Sequence, residues 1–519
     1  MTGVQTCALP IFTTKFLKIT LSLFVASIAF ISCDKDDDEV IIAPIPAVRP
    51  DIVFYGLTDN NRILQYNAKT AETSSGSITV NGLQLDERIL SIDFRPATGQ
   101  LYALGSTSRL YTINLTSGNA TAVNIAQFTP AINGAQANID FNPTVDRVRL
   151  VTNTGQNLRL NPETGLVAAT DLAINGGATP VITSIAYTNN IAGAATTDLY
   201  DIDVTSGKLY KQTPPNDGTL VEVGSLNVKF NGKGGFDINA DNSTALATFT
   251  VSGVEKLYGV NLTTGAATYY ADLGVQLIDI AIPTQPVAYA ISTGGMFQIF
   301  NPTVAGTPIN KSITGLAAGE SILGIDFRPL NGQLYGIAAT TAGAAKLYTF
   351  NLSTGAAAGV GAGFSIASGV TASGFDFNPT VDRIRFVTNT GQNLRLNPND
   401  GSIAATDGAI NPGTPIITGA AYTNNFAGTT STSLFVVNDT ALYNQIPPNN
   451  GTLVRVGSLG ITNSIQNGFD IGGASNKAFA IFTVGTATKV YGINLTSGAA
   501  TAGIDYPNTV TAMAVGIGF

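Results

Sequence analysis

Beyond residue 50 the chain is written in short runs where apolar and polar residues alternate, such as Leu110-Tyr-Thr-Ile-Asn114, Arg147-Val-Arg-Leu-Val-Thr152 and Asn157-Leu-Arg-Leu-Asn161. The runs are separated by Asn-Pro, Thr-Gly or Ser-Gly, and period-two alternation bounded by turn formers predicts strands. No segment after residue 50 keeps apolar residues at i, i+3, i+4 and i+7 without an intervening Gly, Pro or Asn, so helices are not expected. The strands come in sets of four. Ser91-Ile-Asp-Phe-Arg-Pro-Ala-Thr-Gly-Gln-Leu-Tyr102 and its continuation to Gly118 align without a gap, at an offset of 47, with Asn138-Ile-Asp-Phe-Asn-Pro-Thr-Val-Asp-Arg-Val-Arg149 and its continuation to Gly165.

Four strands in about 45 residues is the cadence of a β-propeller blade, with a β-sandwich or a solenoid as the structural alternative. Units begin near Ser91, Asn138, Thr183 and Gly234, and Asp51-Ile-Val-Phe-Tyr-Gly-Leu57 opens a fifth that lacks its first strand. Leu277-Ile-Asp-Ile-Ala-Ile282 supplies that strand from the far end, which predicts a ring closed by a split blade and without exposed sheet edges. A longer period overlies the short one. The 22 residues from Phe141 to Pro162 recur from Phe377 to Pro398 with only Val148/Ile384 and Leu150/Phe386 changed, and the second copy runs from Pro286-Val-Ala-Tyr-Ala-Ile291 to Thr511-Ala-Met-Ala-Val515. The expected fold is all-β, two tandem β-propellers of about five four-stranded blades each, over 51–283 and 284–519. A single ten-bladed ring is the competing arrangement.

With 12% charged residues and a net charge of −8, the surface must be dressed by Asn, Thr, Ser and Gly, and no basic face is available for nucleic acid. The chain has no histidine, which removes Ser-His-Asp and Cys-His catalysis and every imidazole metal site. Its 2 cysteines, Cys7 and Cys33, both precede the repeats. Met1 to Ile11 resembles a translated sequencing adaptor, so the natural start is expected elsewhere. Lys15 and Lys18, the apolar stretch Ile19–Ile31 and Ser32-Cys33 form a signal peptide ending in what resembles a lipobox, which makes Cys33 the expected lipid anchor and the first residue of the mature chain, with 1–33 the adaptor-like and signal segment. Asp34-Lys-Asp-Asp-Asp-Glu39 resembles the acidic export signal of surface lipoproteins of the Bacteroidetes type, and 34–50, with Pro44, Pro46 and Pro50, is an expected tether. The expected address is the outer membrane, lipid-anchored and exposed at the cell surface.

The strings Gly324-Ile-Asp-Phe-Arg-Pro-Leu-Asn-Gly-Gln-Leu-Tyr-Gly336, Phe375-Asp-Phe-Asn-Pro-Thr-Val-Asp-Arg-Ile-Arg385, Thr390-Gly-Gln-Asn-Leu-Arg-Leu-Asn-Pro398 and Pro447-Pro-Asn-Asn-Gly451, with their first-half versions, resemble the bacterial family termed domain of unknown function 4394. The resemblance covers nearly everything from residue 51 onward and implies no activity.

Asp93, Asp140 and Asp237, repeated as Asp326, Asp376 and Asp470, occupy one position on the first strand of three blades, where they would line the channel. Such carboxylates hold a hard cation such as Ca2+ or, more simply, accept amides of the adjacent turn. Arg147, Arg149 and Arg159, repeated as Arg383, Arg385 and Arg395, alternate with apolar residues on neighbouring strands and suit a carboxylate or uronic acid ligand. The competing reading pairs them with Asp146 and Asp382. The Asn-Leu-Thr strings at Asn114, Asn261 and Asn494 read as turns rather than glycan acceptors, and Tyr102, Tyr111, Tyr258, Tyr335, Tyr348 and Tyr491 as packing residues. No residue is assigned a catalytic role. The expected function is a surface-anchored, non-enzymatic binding or scaffold lipoprotein for a glycan or protein ligand. The alternative is a carbohydrate-active hydrolase or lyase working from carboxylates, which needs two opposed carboxyls about 5–10 Å apart.

Overall fold

The structure, a computed structural model, describes residues Ala47–Phe519 apart from Thr414, Ile465 and Ala502. The leader, Cys33 and most of the tether therefore lie outside the described residues. The described chain forms ten antiparallel four-stranded sheets, with three single 3-10 turns as its helical content. Blade 1 joins Val53–Leu57, Arg62–Asn67 and Gly76–Thr79 to the distant strand Asp279–Ala281, which pairs antiparallel with Tyr55–Leu57. Blades 2 to 5 follow in order, with innermost strands Ile89–Phe94, Ala137–Asn142, Ile182–Tyr187 and Phe236–Ile238. In the second half Val510–Val515 completes blade 6 by pairing with Ala288–Ser292. The innermost strands of blades 7 to 10 are Ser321–Arg328, Ser373–Asn378, Gly419–Tyr422 and Gly468–Ile471.

Within each half the five innermost strands contact one another in cyclic order, the last returning to the first. The molecule is therefore two five-bladed propellers rather than one ring of ten. The apolar core lies between blades: Tyr102, Leu104 and Leu110 of blade 2 pack with Ile139, Phe141, Val148 and Leu158 of blade 3, and each neighbouring pair repeats this. The recurrent tyrosines Tyr102, Tyr111, Tyr258, Tyr335, Tyr348 and Tyr491 are all buried in this packing. The Asn-Leu-Thr strings are turns: Asn114, Asn261 and Asn494 each accept two following backbone N–H groups through Oδ1. The glycine that ends such a turn presses on the next blade. At Gly265 (φ +79°) a Cβ would lie 2.6 Å from the Gly224 carbonyl oxygen, so no larger residue fits.

The inner edge of each ring poses a problem that the aspartates solve. An innermost strand has no strand beyond it, so its axis-facing amides must find other acceptors. Asp93 accepts its neighbour Phe94 N at 2.7 Å and, from blade 3, Phe141 N at 2.7 Å. Asp140 accepts Tyr187 N of blade 4 at 3.0 Å. Asp237 accepts Ile238 N at 2.6 Å and Ile282 N, beside the first strand of blade 1, at 2.5 Å. The second ring repeats the device, with Asp326 accepting Phe377 N at 2.7 Å, Asp376 accepting Tyr422 N at 2.9 Å and Asp470 accepting Val515 N at 2.5 Å. The acceptor role expected of these aspartates thus runs from blade to blade, not within one turn. Blade 4 has Ala186 at this position, and there Ser184 Oγ donates to Gly234 O at 2.7 Å instead.

The two rings meet through hydrogen bonds from Arg95 Nη1 to Gly332 O (3.1 Å), from the Tyr289 hydroxyl to Ala97 O (2.9 Å) and from Gly518 N to Thr98 O (2.8 Å). Elsewhere the halves differ at single buried positions. Asp201, on the second strand of blade 4, is fully buried and neither oxygen has a hydrogen-bond partner; Val436 is its counterpart.

Two outcomes are expected. Asp326→Ala leaves the Phe327 and Phe377 amides without an acceptor, and at about 1–3 kcal/mol for each buried orphan donor the loss in chemical unfolding should be roughly 2–6 kcal/mol, with Asp326→Asn costing less. Burial holds the Asp201 carboxyl well above its ordinary value of 3.8, opposed by the nearby Arg149 charge. The folded chain then keeps a proton that the unfolded chain releases, so this group's contribution is complete below pH 3.8 and declines as the pH rises above it. Asp201→Val should raise the melting temperature, and by more at pH 8 than at pH 5; equal gains at both would show that Asp201 titrates normally.

Candidate functional site

The arginines expected to bind ligand do converge in the second ring. Arg383 and Arg385 lie on the second strand of blade 8 and Arg395 on the third, where Arg385 and Arg395 are direct cross-strand partners. Together with Asn378, Val381, Tyr422, Pro447, Pro448 and Asn449 they line a pocket of about 270 Å3. The three guanidinium groups have different duties. Arg385 is buried and fully engaged: Nη1 donates to Asp407 Oδ2 at 2.7 Å and Asn393 Oδ1 at 2.7 Å, and Nη2 to Asn449 Oδ1 at 2.7 Å. Arg395, one-third exposed, holds Asp407 through both Nε (2.8 Å) and Nη2 (2.9 Å). Arg383 is partly buried, donates only to the Asp382 backbone carbonyl at 2.8 Å, and has no carboxylate partner among the described residues.

Arg149 and Arg159 share Asp171 in the same way in the first ring, while Arg147 donates to Asp146 O. Two expectations are corrected here. Arg149 and Arg385 are not open to ligand, because they lie at 2% exposure inside saturated hydrogen-bond sets. The internal partner is also not Asp146 or Asp382, whose carboxylates are taken by Arg95 and Arg328; it is Asp171 or Asp407, brought across by the fourth strand. The spacing of the arginines gave no hint of that acid, although its duplication in both halves did.

Three arginines line the second-ring pocket, and two of them share the carboxylate of Asp407. In the first ring the field of Arg147 falls on Glu163, which Asn399 replaces in the second. Asp400 feels the charge of Arg383, but it is fully exposed and accepts hydrogen bonds from Ser402 and Asn397.

The axial aspartates also converge. Carboxylate oxygens of Asp93, Asp140 and Asp237 lie within 4.8 Å of one another, as do those of Asp326, Asp376 and Asp470. Burial, joined by repulsion from the other acids, holds Asp93, Asp140, Asp326 and Asp376 well above the usual carboxylate range. Burial also pushes Asp237 up to about 8 and Asp470 to about 7, against the lowering effect of their amide donors. A fourth acid not anticipated among the channel residues, Asp279, joins the first ring. It accepts Ser91 Oγ at 2.5 Å and Ile92 N at 2.9 Å and is pushed by burial to about 7. Its counterpart Ala512 explains why a comparison of the halves passes over it. Glu87 and Glu320, the duplicated glutamates, are spent on the hydroxyls of Tyr111 and Tyr348.

A second opening of about 200 Å3 lies between the rings, lined largely by apolar side chains such as Ile191, Ile299, Val304 and Tyr506. It brings together no set of charged groups comparable to the arginine pocket.

Among solved structures, the chain resembles a Bacteroides uniformis ATCC 8492 protein provisionally described as a 6-phosphogluconolactonase. The two are 16% identical with a TM-score of 0.27, over 64% of this chain and 98% of that one. It also resembles PorZ, described as an essential bacterial surface component of the type-IX secretion system of Porphyromonas gingivalis. Here the identity is 13% and the TM-score 0.24, over 86% of this chain and 66% of that one. Likeness of this degree says nothing about shared activity. No curated protein matches the chain. The profile of one family matches twice, over residues 62–281 and 296–515, almost the span of each ring, and the chain accordingly belongs to the family described as Domain of unknown function (DUF4394), of which it carries two tandem copies.

Proposed function

We propose that this chain is a surface-anchored, non-enzymatic binding protein whose second ring takes a carboxylate-bearing ligand, a glycan containing uronic acid residues, in the pocket around Arg383. The observation that carries this reading is a guanidinium without a carboxylate partner, set beside two others that share one acid, in a protein whose net charge is −8. Arg385 and Asp407 act as a fixed base there. Their mutual bonds hold the Arg395 fork and the Asn449 side chain, and the Pro447-Pro448 segment forms the wall. Arg383 is left to meet a carboxylate with paired N–H donors, a geometry that favours Arg over Lys. The apolar edges of Val381 and Pro448 offer contact to a sugar ring.

The hydrolase alternative requires two opposed carboxyls in an open pocket. The convergent carboxyls here are buried and engaged with backbone amides, and no acid lines the arginine pocket, which favours binding over hydrolysis. Anchoring through Cys33 at the outer membrane rests on the leader sequence, and the membrane is then the second partner.

The test is an array of acidic glycans, including polygalacturonate, with neutral glycans as controls, probed with the full chain at several salt concentrations. Binding to uronic acid polymers should weaken as salt rises. Arg383→Ala should lower affinity at least tenfold while leaving the unfolding midpoint within experimental scatter; unchanged binding would sink the proposal. Arg385→Ala is expected to behave differently, because it removes the buried donor to Asn393 and one of the two donors to Asp407, and should lower the unfolding midpoint while Arg395 still holds Asp407.

A further inference from the structure

The arginine pocket of the second ring is built from parts that the first ring also carries. Each of the nine residues lining it has the same residue at the matching position of the first ring, from Asn142 for Asn378 through Tyr187 for Tyr422 to Asn216 for Asn449. The bonds agree as well as the residues. Arg149 donates to Asn157, Asp171 and Asn216 at 2.8, 2.6 and 2.7 Å, where Arg385 donates to each counterpart at 2.7 Å. Arg159 grips Asp171 through Nε and Nη2 as Arg395 grips Asp407. Arg147 is partly buried, donates to the Asp146 backbone carbonyl at 2.8 Å and has no carboxylate partner among the described residues, as is true of Arg383.

Packing does not account for what is kept. A core senses the gain or loss of one methylene, whereas most surface substitutions change stability by less than about 0.5 kcal/mol, so a segment held by its packing alone keeps its core and lets its surface vary. The 22-residue segment does the reverse. Its two changes, Val148 to Ile384 and Leu150 to Phe386, fall at fully buried positions, while Val145, 44% exposed, returns as Val381, 56% exposed, and the one-third exposed Arg159 returns as Arg395. The facing turn behaves alike. Pro214 and Pro215 are kept as the pocket wall Pro447-Pro448, whereas Thr213 and Asp217 become Ile446 and Asn450, which do not line it.

We propose that the first ring carries a second site for the same uronic acid ligand, centred on Arg147, and that Glu163 holds its affinity below that of the Arg383 site. The inference rests on the reading of the Arg383 pocket given above. Glu163 Oε1 accepts Arg95 Nη2 at 3.1 Å, the nitrogen that also holds the Asp146 carboxylate, and Asp146 is the residue whose backbone carbonyl Arg147 engages. That chain of bonds fixes the Glu163 carboxylate within the field of Arg147, where it opposes an incoming carboxylate of like charge. In the second ring Arg328 makes the same fork to Asp382 and donates to Asn399 Oδ1 at 2.9 Å, so a neutral amide keeps the bond without the charge. Asp400, which feels the charge of Arg383, is fully exposed and its field is screened by solvent.

The test is calorimetric titration of the full chain with trigalacturonate at low salt. Two sites per chain are expected, the tighter removed by Arg383→Ala and the weaker by Arg147→Ala. In the Arg383→Ala chain, which isolates the first-ring site, adding Glu163→Asn should tighten binding at least threefold, and adding Arg147→Ala should abolish it. The fold accepts the asparagine, as Asn399 shows. Arg147→Gln, which keeps an apolar stem and an amide donor, takes the place of Arg147→Ala if that variant does not fold. No binding by the unaltered chain would sink the Arg383 reading itself. One site per chain, with nothing left after Arg383→Ala, would overturn the second site and leave that reading standing. So would residual binding that Arg147→Ala does not remove, or affinity that Glu163→Asn does not change.

Discussion

Both rings depend on carboxylate oxygens reaching from one blade to accept the free inner-edge amides of the next. A propeller buries its apolar surface between blades, and that packing alone does not say which sheets are neighbours or how far each slides along its neighbour. The Asp93–Phe141, Asp140–Tyr187 and Asp237–Ile282 bonds fix that register at the place where the strands are closest to the axis. The cost is also concentrated there. Acids this close and this buried repel one another, and their raised proton affinities measure how far the ring strains its own electrostatics to keep its inner edge satisfied.

Duplication lets necessity be separated from licence. The three aspartates, the Asn-capped turns and the Arg385–Asp407 core appear twice and explain closure, blade spacing and local rigidity. What differs is Asp279 against Ala512, Asn138 against Gly374, Glu163 against Asn399 and Asp201 against Val436. None of these is demanded by the fold, because the sister ring closes without it. Buried polar groups that the fold does not require are where function, past or present, is most economically sought.

Strand alternation, the 47-residue cadence and the split final strand made the propellers legible from sequence, because each is a local pattern repeated at fixed spacing. The arginine pocket was half legible. Alternation placed Arg383, Arg385 and Arg395 on one face, yet it could not show that Asp407 would return on the fourth strand to neutralise two of them, since that pairing is made by the sheet. The axial aspartates were recognised as a set, but their acceptor role was assigned to the wrong amides. Turn chemistry is encoded within a few residues, whereas a bond from Asp93 to Phe141 spans 48 positions and exists only once the ring has closed.

The first ring adds Asp279 on its axis and Glu163 on its flank, where the second has Ala512 and Asn399. Ala512 and Asn399 show that the fold permits uncharged residues at both places. The halves thus differ at buried positions that closure of the ring leaves open. In a tandem array, charged groups on the two rings separated by more than a Debye length are largely screened from each other, so a change in one ring leaves the other's field nearly intact.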